Sequence, residues 1–242
     1  MKNPIQGMIF AAGLGTRFKP WTDTHPKALA IINGKSLLQR NIEYLQRYGI
    51  SEVIVNVHHF SNQIIDTLDK TKGWGSKIII SDETDEVLET GGGLKKAAPL
   101  FNAETIAIIN ADILTDLDLG KMISYHQEKK PVATLATTNR KTSRYFLFND
   151  QQVLCGWRNT NTGEEKISRA TAGYEQRAFS GIHIIHKKLL SLIQFTGKFS
   201  MVDVYLDLAR TEKILSFDHS GSRFIDVGKP EAVAAAERLF EN

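Results

Sequence analysis

The 242-residue sequence predicts an α/β fold, a mixed and mostly parallel sheet with helices on its faces. Three observations carry that expectation. Short apolar runs of strand character alternate with longer runs of helical period through the first half of the chain. The first strand, Ile5 to Ala11, ends in a small-residue turn, Ala12-Gly13-Leu14-Gly15. Further glycines punctuate the segments, as Asn33-Gly34, Gly49 and Gly91-Gly92-Gly93. A strand–helix–strand rhythm of this kind folds into a parallel sheet with right-handed crossovers, and its ligand site lies outside the carboxyl ends of the strands.

Each element has its local reason. After the glycine turn, Ala28 to Ile32 is short and apolar. Ser36 is an N-cap for a helix to Tyr48, with Leu37, Leu38, Asn41, Ile42 and Leu45 at helical spacing and Gly49 at its C′ end. Glu52 to Val57 is a β-branched strand, and Ser61 starts a helix carrying Ile64, Ile65 and Leu68. Lys77 to Ser81 is a strand, Thr90 to Leu100 a helix opened by glycines, and Thr105 to Asn110 an apolar strand. Asp116 to Glu128 reads as a helix and Val132 to Thr138 as a strand. The second half changes character. Arg144 to Phe148, the Asn149-Asp150 turn and Gln152 to Trp157 form a hairpin. Arg158 to Gln176 is polar and reads as a mobile loop. Ala178 to His186 is a strand, Val202 to Arg210 a helix, Ile214 to Phe217 and Arg223 to Val227 short strands. Pro230 sits in the first turn of a terminal helix through Phe240. No internal repeat interrupts the chain, which reads as a single domain over 1–242, its second half from 141 completing one site.

Composition excludes several classes. Thirty basic residues against 27 acidic ones give +3, too mild for nucleic-acid binding, and no Lys/Arg block stands out. The single cysteine, Cys155, excludes an internal disulfide and a cysteine metal cluster. Lys2 is followed by Pro4, Gln6 and Gly7 rather than a secretory apolar core. No apolar run approaches the ~20 residues that span a bilayer. A cytoplasmic protein with no membrane partner is expected, as a monomer or small homo-oligomer.

The chemistry concentrates in four places. In the first, Gly13 and Gly15 precede Thr16 and Arg17, and Lys27 follows Pro26. Small residues let backbone N–H groups approach an anion, and the two cations supply fixed positive charge to a polyphosphate. A dinucleotide-binding loop needs a third glycine where Phe18 stands, and no G-x-x-x-x-G-K-[ST] run exists. Second, Asp112 ends the Asn110-Ala111-Asp112 run at a strand's carboxyl end, where a hard oxygen ligand suits Mg²⁺. Third, Asp226 interrupts the apolar Phe224-Ile225-Asp226-Val227-Gly228, where a charge needs a partner or an ion. Fourth, Gly91-Gly92-Gly93 opens a helix and exposes backbone groups to a planar base. His58-His59 and the pair His183 and His186 point to opposite sides of their strands and read as structural or surface.

Ala11-Ala12-Gly13-Leu14-Gly15-Thr16-Arg17, with Pro20, Thr22 and Pro26-Lys27-Ala28-Leu29, resembles the opening motif of the sugar-1-phosphate nucleotidyltransferases. Leu88-Glu89-Thr90-Gly91-Gly92-Gly93, Asn110-Ala111-Asp112, Phe179-Ser180-Gly181-Ile182 and the late Asp226-Val227-Gly228 extend the resemblance over essentially the whole chain. The shorter, single-domain bacterial members are the most similar, among them those that uridylylate N-acetylmuramate α-1-phosphate. The resemblance implies a Rossmann-like, three-layer nucleotidyltransferase-type domain, with residues 1–140 as the nucleotide half and 141–242 as the sugar-phosphate half. It implies an NTP, UTP first, joined to a sugar 1-phosphate with release of pyrophosphate. Nucleotide contacts fall on Ala11, Gly13, Gly15, Thr16, Arg17, Lys27, Glu83, Glu89, Thr90 and Gly91. Sugar contacts fall on Asn110, Arg144, Ser180 and Gly181. Arg17, Lys27 and Asp112 are the catalytic set, and Asp112 with Asp226 holds Mg²⁺. The chain departs from the pattern at Ser143-Arg144, where relatives often place Gly with Asp or Asn; an arginine there meets either an acidic sugar or solvent. Mannose or heptose 1-phosphate guanylyl transfer is the alternative chemistry. A non-catalytic nucleotide-sugar sensor is the alternative of another class, against which the intact Arg17, Lys27, Asp112 and Asp226 speak.

Overall fold

The structure, a computed structural model, describes residues 4–241; Lys2 lies outside them. Strand β1 (Ile5–Phe10) runs into the glycine loop. The two-residue strands β2 (Ile31–Ile32) and β3 (Lys35–Ser36) lead to helix α1 (Leu37–Arg47). The Ser36 side chain accepts from the Gln39 amide at 3.1 Å, the expected cap. Then come β4 (Glu52–Val57), α2 (Ser61–Lys70), β5 (Lys77–Asp82), α3 (Glu89–Ala97) and β6 (Thr105–Asn110). After Asp112 the chain forms β7 (Ile113–Thr115), a strand absent from the sequence reading, and α4 (Leu119–Lys129). That helix starts later than Asp116 because Asp118 is its cap, accepting from the Lys121 amide at 3.0 Å, while Asp116 turns to the Arg223 guanidinium at 2.7 Å.

The second half contributes β8 (Ala133–Thr138), β9 (Arg144–Phe148), β10 (Leu154–Asn159), β11 (Glu165–Ile167) and β12 (Glu175–His186). Helices α5 (Lys188–Leu192) and α6 (Met201–Leu208) follow, then β13 (Ile214–Asp218), β14 (Phe224–Asp226) and α7 (Ala232–Leu239). The segment 158–176, expected as a mobile loop, is only in part a loop: its ends belong to β10 and β12 and its middle holds β11, while 160–164 and 168–174 stay outside the strands. β10 runs on to Asn159, and β11 returns antiparallel, with Arg158 opposite Glu165. The turn is set by Gly163 at a φ of 72° and by the Arg158–Glu165 ion pair at 2.6 Å. Gly156 is required here, because a Cβ would stand 2.5 Å from the Lys166 carbonyl oxygen.

β1 lies parallel between β4 and β6, with β5 parallel beyond β4. β12 is the antiparallel member beside β6, β8 pairs with its other edge, and β13 runs parallel to β8. The amino-terminal part of β12 also carries β9, extending the ten-stranded sheet to β10 and β11. Both faces are apolar because both are covered. Leu38, Ile42 and Leu45 of α1, Ile64 of α2 and Met122 of α4 pack on one face; Leu94 of α3 and Val204 and Tyr205 of α6 pack on the other. No described helix is long and apolar enough to cross a membrane.

Register then builds one edge. Phe10 stands opposite both Asn56 and Asn110, and Ile109 opposite Ile182, so Asn56, Ala11, Asn110 and Gly181 gather at the carboxyl ends of β4, β1 and β6. β14 pairs antiparallel with β7, Asp226 opposite Ile113, and the Val227 amide donates to the Asp112 carbonyl at 2.8 Å. This small ladder brings two carboxylates together across more than a hundred residues of chain.

Candidate active site

The strand ends open into a cleft of about 630 Å³, lined among others by Gly13, Arg17, Lys27, Asp112, Arg144 and Lys198. Its floor is the glycine loop. Gly15 holds a φ of 61°, and a Cβ there would stand 2.8 Å from the Thr22 methyl and 3.2 Å from the Lys27 Cβ. The Thr22 hydroxyl donates to the Gly15 carbonyl at 2.9 Å, and the Phe18 amide donates to it at 2.7 Å, closing the Thr16–Phe18 turn. At Gly13 a Cβ would meet no protein atom within 4 Å; the room beside it is cleft.

Lys27 reaches across this loop. Its ammonium donates to Asp112 Oδ2 at 2.5 Å and lies 5.8 Å from the centre of the Phe18 ring. Both partners of the pair are mostly enclosed, with 13 % and 23 % side-chain exposure. Asp226 lies next to this pair. Crowding by protein atoms and the repulsion of Asp112 raise its pKa above the usual carboxylate range, with Lys27, Arg17 and Arg140 pulling the other way. A Cβ on Gly228 would meet Asp226 Oδ1 at 2.9 Å and Arg17 Nη2 at 3.4 Å, so this glycine leaves room for both side chains. Two carboxylates brought together by backbone bonding, with Asp112 disfavouring the charge of Asp226, fit a divalent cation bound through hard oxygen donors.

The remaining expected residues divide. Thr16, Glu89, Thr90, Asn110 and Arg144 line the cleft. Glu83 is buried at its base, where desolvation raises its pKa and Asn56 Nδ2 donates to its Oε1 at 2.7 Å. Asn56 Oδ1 in turn accepts from the Ala11 amide at 2.8 Å, so Ala11 has its carbonyl, not its N–H, left for a ligand. Ser180 is placed otherwise than expected: it is 1 % exposed, and its hydroxyl pairs with His219 Nε2 at 2.7 Å rather than opening to the cleft. Burial pulls the His219 pKa down to about 4, keeping that ring neutral. Gly181 does belong to the edge. Its φ is 71°, in the irregular stretch of β12 between Phe179 and His183, and a Cβ would strike Asn110 Nδ2 at 2.7 Å.

The glycines of α3 also have a different role from the one expected. The Gly91 and Gly92 amides both donate to the Phe199 carbonyl, at 3.0 and 3.2 Å, and so are closed to a base. A Cβ on Gly91 would lie 2.5 Å from the Phe199 ring and 2.9 Å from its carbonyl; one on Gly93 would lie 2.6 Å from Glu83 Oε1. The run exists for close approach between helix and chain. Gly91→Val is expected to cost about 1–3 kcal/mol, which a thermal melt reads as a drop of roughly 2–12 °C. An unchanged melt contradicts the packing role.

Three contributors escaped the sequence reading. Asn56 carried a signal, a polar residue inside a β-branched strand. Arg140 donates to the Phe179 carbonyl at 2.8 Å, stacks 5.2 Å from the Phe224 ring and lends charge to Asp226; it carried none. Lys198 also carried none. The histidines are tied internally: His58 Nδ1 pairs with the Glu83 carbonyl at 2.6 Å, His59 Nε2 with that of Thr22 at 3.1 Å, and His183 Nδ1 with the Tyr205 hydroxyl at 2.5 Å.

Residues 6–242 match the nucleotidyl transferase family. The chain belongs to that family. It is 31 % identical to the N-acetylmuramate alpha-1-phosphate uridylyltransferase of Caulobacter vibrioides, over 98 % of each chain. It is 29 % identical to the D-glycero-alpha-D-manno-heptose 1-phosphate guanylyltransferase of Aneurinibacillus thermoaerophilus, over 98 % of this chain and 99 % of the relative. Among solved structures, HddC from Yersinia pseudotuberculosis complexed with GMP-PN superposes with a TM-score of 0.75 at 26 % identity, over 98 % of this chain and 99 % of that one. Membership makes the protein a nucleotidyltransferase, and the mixed sheet flanked by helices is the expected fold. Nucleotidyl transferases generally use a divalent metal, which the Asp112–Asp226 pair is suited to hold.

Proposed function

We propose that this chain joins UTP to N-acetylmuramate α-1-phosphate, giving the nucleotide-sugar and pyrophosphate. The observation that carries the reading is one cleft in which a glycine loop, Lys27 and two converging carboxylates meet, on a chain similar along its length to a uridylyltransferase of that name. The sugar-phosphate oxygen attacks the α-phosphorus in line, and pyrophosphate leaves. A phosphate monoester dianion is already a nucleophile, so the chain supplies position and charge rather than a base. Gly13, Gly15 and Thr16 cradle the triphosphate. Arg17 neutralises the departing pyrophosphate, and Lys27 lies between the α-phosphate and the sugar phosphate. Asp112 and Asp226 would hold Mg²⁺, which supplies neutralisation of the reacting phosphate oxygens. The Ala11 carbonyl, Glu83, Glu89 and Thr90 frame the nucleoside, while Asn110 and Gly181 border the sugar. Free NTPs put the reaction in the cytoplasm.

Arg144 supports an acidic sugar. It lines the cleft and has no acid partner among the described residues, so its guanidinium is free for a carboxylate. Arg144→Ala is expected to raise KM for a carboxylate-bearing sugar 1-phosphate roughly 10–100-fold and to leave a neutral sugar's KM in place. An equal effect on both sugars removes Arg144 from specificity. Guanylyl transfer to heptose or mannose 1-phosphate is the second reading, supported by the full-length similarity to the heptose enzyme. A matrix of four NTPs against acidic and neutral sugar 1-phosphates, read by product mass with Mg²⁺ present, decides. UTP with the acidic sugar supports the first reading and GTP with a neutral one the second. No product from any pair leaves the sensor.

A further inference from the structure

Helix α3 is a seat for the segment 195–201. Besides the two glycine amides on the Phe199 carbonyl, the Phe199 amide donates to the Leu88 carbonyl at 3.2 Å. The Met201 amide donates to the Thr90 hydroxyl at 3.0 Å, and the Lys95 ammonium to the Phe195 carbonyl at 2.6 Å. The Phe199 ring is buried and stacks on Phe195 with centroids 5.3 Å apart. Ser200 and Asp203 close a capping box that fixes where α6 begins.

From this anchored segment Lys198 reaches the cleft, sharing its lining with Gly13, Lys27 and Asp112. Its side chain is 55 % exposed, and the acid that meets it is Glu89, at 3.7 Å and itself 47 % exposed. A pair so long and so exposed binds weakly. Glu89 also holds a φ of 58°, an unfavourable conformation for a residue with a Cβ and one that collects at ligand sites. On the loop side, Lys27 is paired with Asp112, and Arg17 lies beside Gly228 and lends charge to Asp226.

We infer that Lys198 is a substrate-contacting residue, whose ammonium exchanges Glu89 for an anionic oxygen of a bound substrate. That oxygen belongs either to the NTP triphosphate or to a carboxylate on the sugar. The inference rests on the nucleotidyl-transfer reading above. Fixing the backbone of 195–201 in advance removes most of the ordering cost of the contact, leaving only the lysine's own rotamers to settle.

The test uses the full chain with Lys198→Ala, Lys198→Arg and Lys198→Glu, following pyrophosphate release with Mg²⁺. KM is measured separately for the NTP, for a carboxylate-bearing sugar 1-phosphate and for a neutral one. Lys198→Ala is expected to raise one KM about tenfold with kcat changed less than about twofold, the signature of a binding contact. Lys198→Arg recovers most of the loss and Lys198→Glu deepens it. A shift in the NTP KM with every sugar assigns the triphosphate; a shift confined to the acidic sugar assigns its carboxylate. All three KM values unmoved, a fall in kcat alone, or arginine no better than alanine overturns the inference. A wild-type chain that turns over nothing sinks the enzymatic reading instead. Titration of wild type and Lys198→Ala with a non-hydrolysable NTP analogue and with an acidic nucleotide-sugar then reads the same contact directly. Equal affinities for both ligands overturn it.

Discussion

Lys27→Met is expected to lower kcat by about 10²–10³-fold without unfolding the protein. The argument rests on what the substitution keeps. The Lys27 stem packs against Gly15, whose Cβ position lies 3.2 Å from the Lys27 Cβ, and its end lies near the Phe18 ring. Methionine retains that apolar stem and deletes only the ammonium. What is lost is a donor 2.5 Å from Asp112 at the point where the transferred phosphate gains charge. Because Lys27 and Asp112 act as one unit, Lys27→Met and Asp112→Asn combined should cost much less than the two separate losses multiplied. Single-turnover pyrophosphate release reads all three variants. Near-wild-type turnover in Lys27→Met takes this residue out of the reaction and leaves the pair a structural tether.

The legible parts of the sequence were those set by local chemistry. Apolar period and caps placed β1, α1, β4 and α2 within a residue or two, because Ser36 and the β-branched Glu52 to Val57 run act on their own neighbours. The loop residues Gly13, Gly15, Arg17 and Lys27 were visible for the same reason. What stayed hidden depends on contacts between distant segments. β7 is three residues long and exists because β14 pairs with it, so its sequence alone does not mark it as a strand. Within 158–176, β11 looked like loop because exposed edge strands are polar, and it forms by pairing with β10. The hydroxyl of Ser180 turns inward because His219, on a loop after β13, waits for it. Gly91 and Gly92 signalled close approach, but to Phe199 and to the Gly197 carbonyl rather than to a ligand, and spacing cannot say which partner a glycine admits.

Asp226→Asn should separate activity from stability. The two carboxylates sit together because the β7–β14 backbone ladder holds them there, and that ladder survives the substitution. Crowding and Asp112 raise the Asp226 pKa, which means the folded state disfavours its charged form. The sign follows: a carboxyl whose folded pKa lies above its unfolded one weakens the fold once pH rises past the unfolded value, and that penalty is present at neutral pH. Asparagine removes the charge and the penalty with it. In chelator-treated protein the variant should therefore melt above wild type, while its turnover falls by about 10²-fold or more. Adding Mg²⁺ should raise the wild-type melting temperature through binding to the folded state and move the variant much less. A misfolded variant loses activity and stability together, so only opposite movements identify a strained pair kept for function. Full activity in Asp226→Asn, or an equal Mg²⁺ response in both proteins, leaves Asp112 as the sole acidic anchor and removes the paired-carboxylate basis of the site.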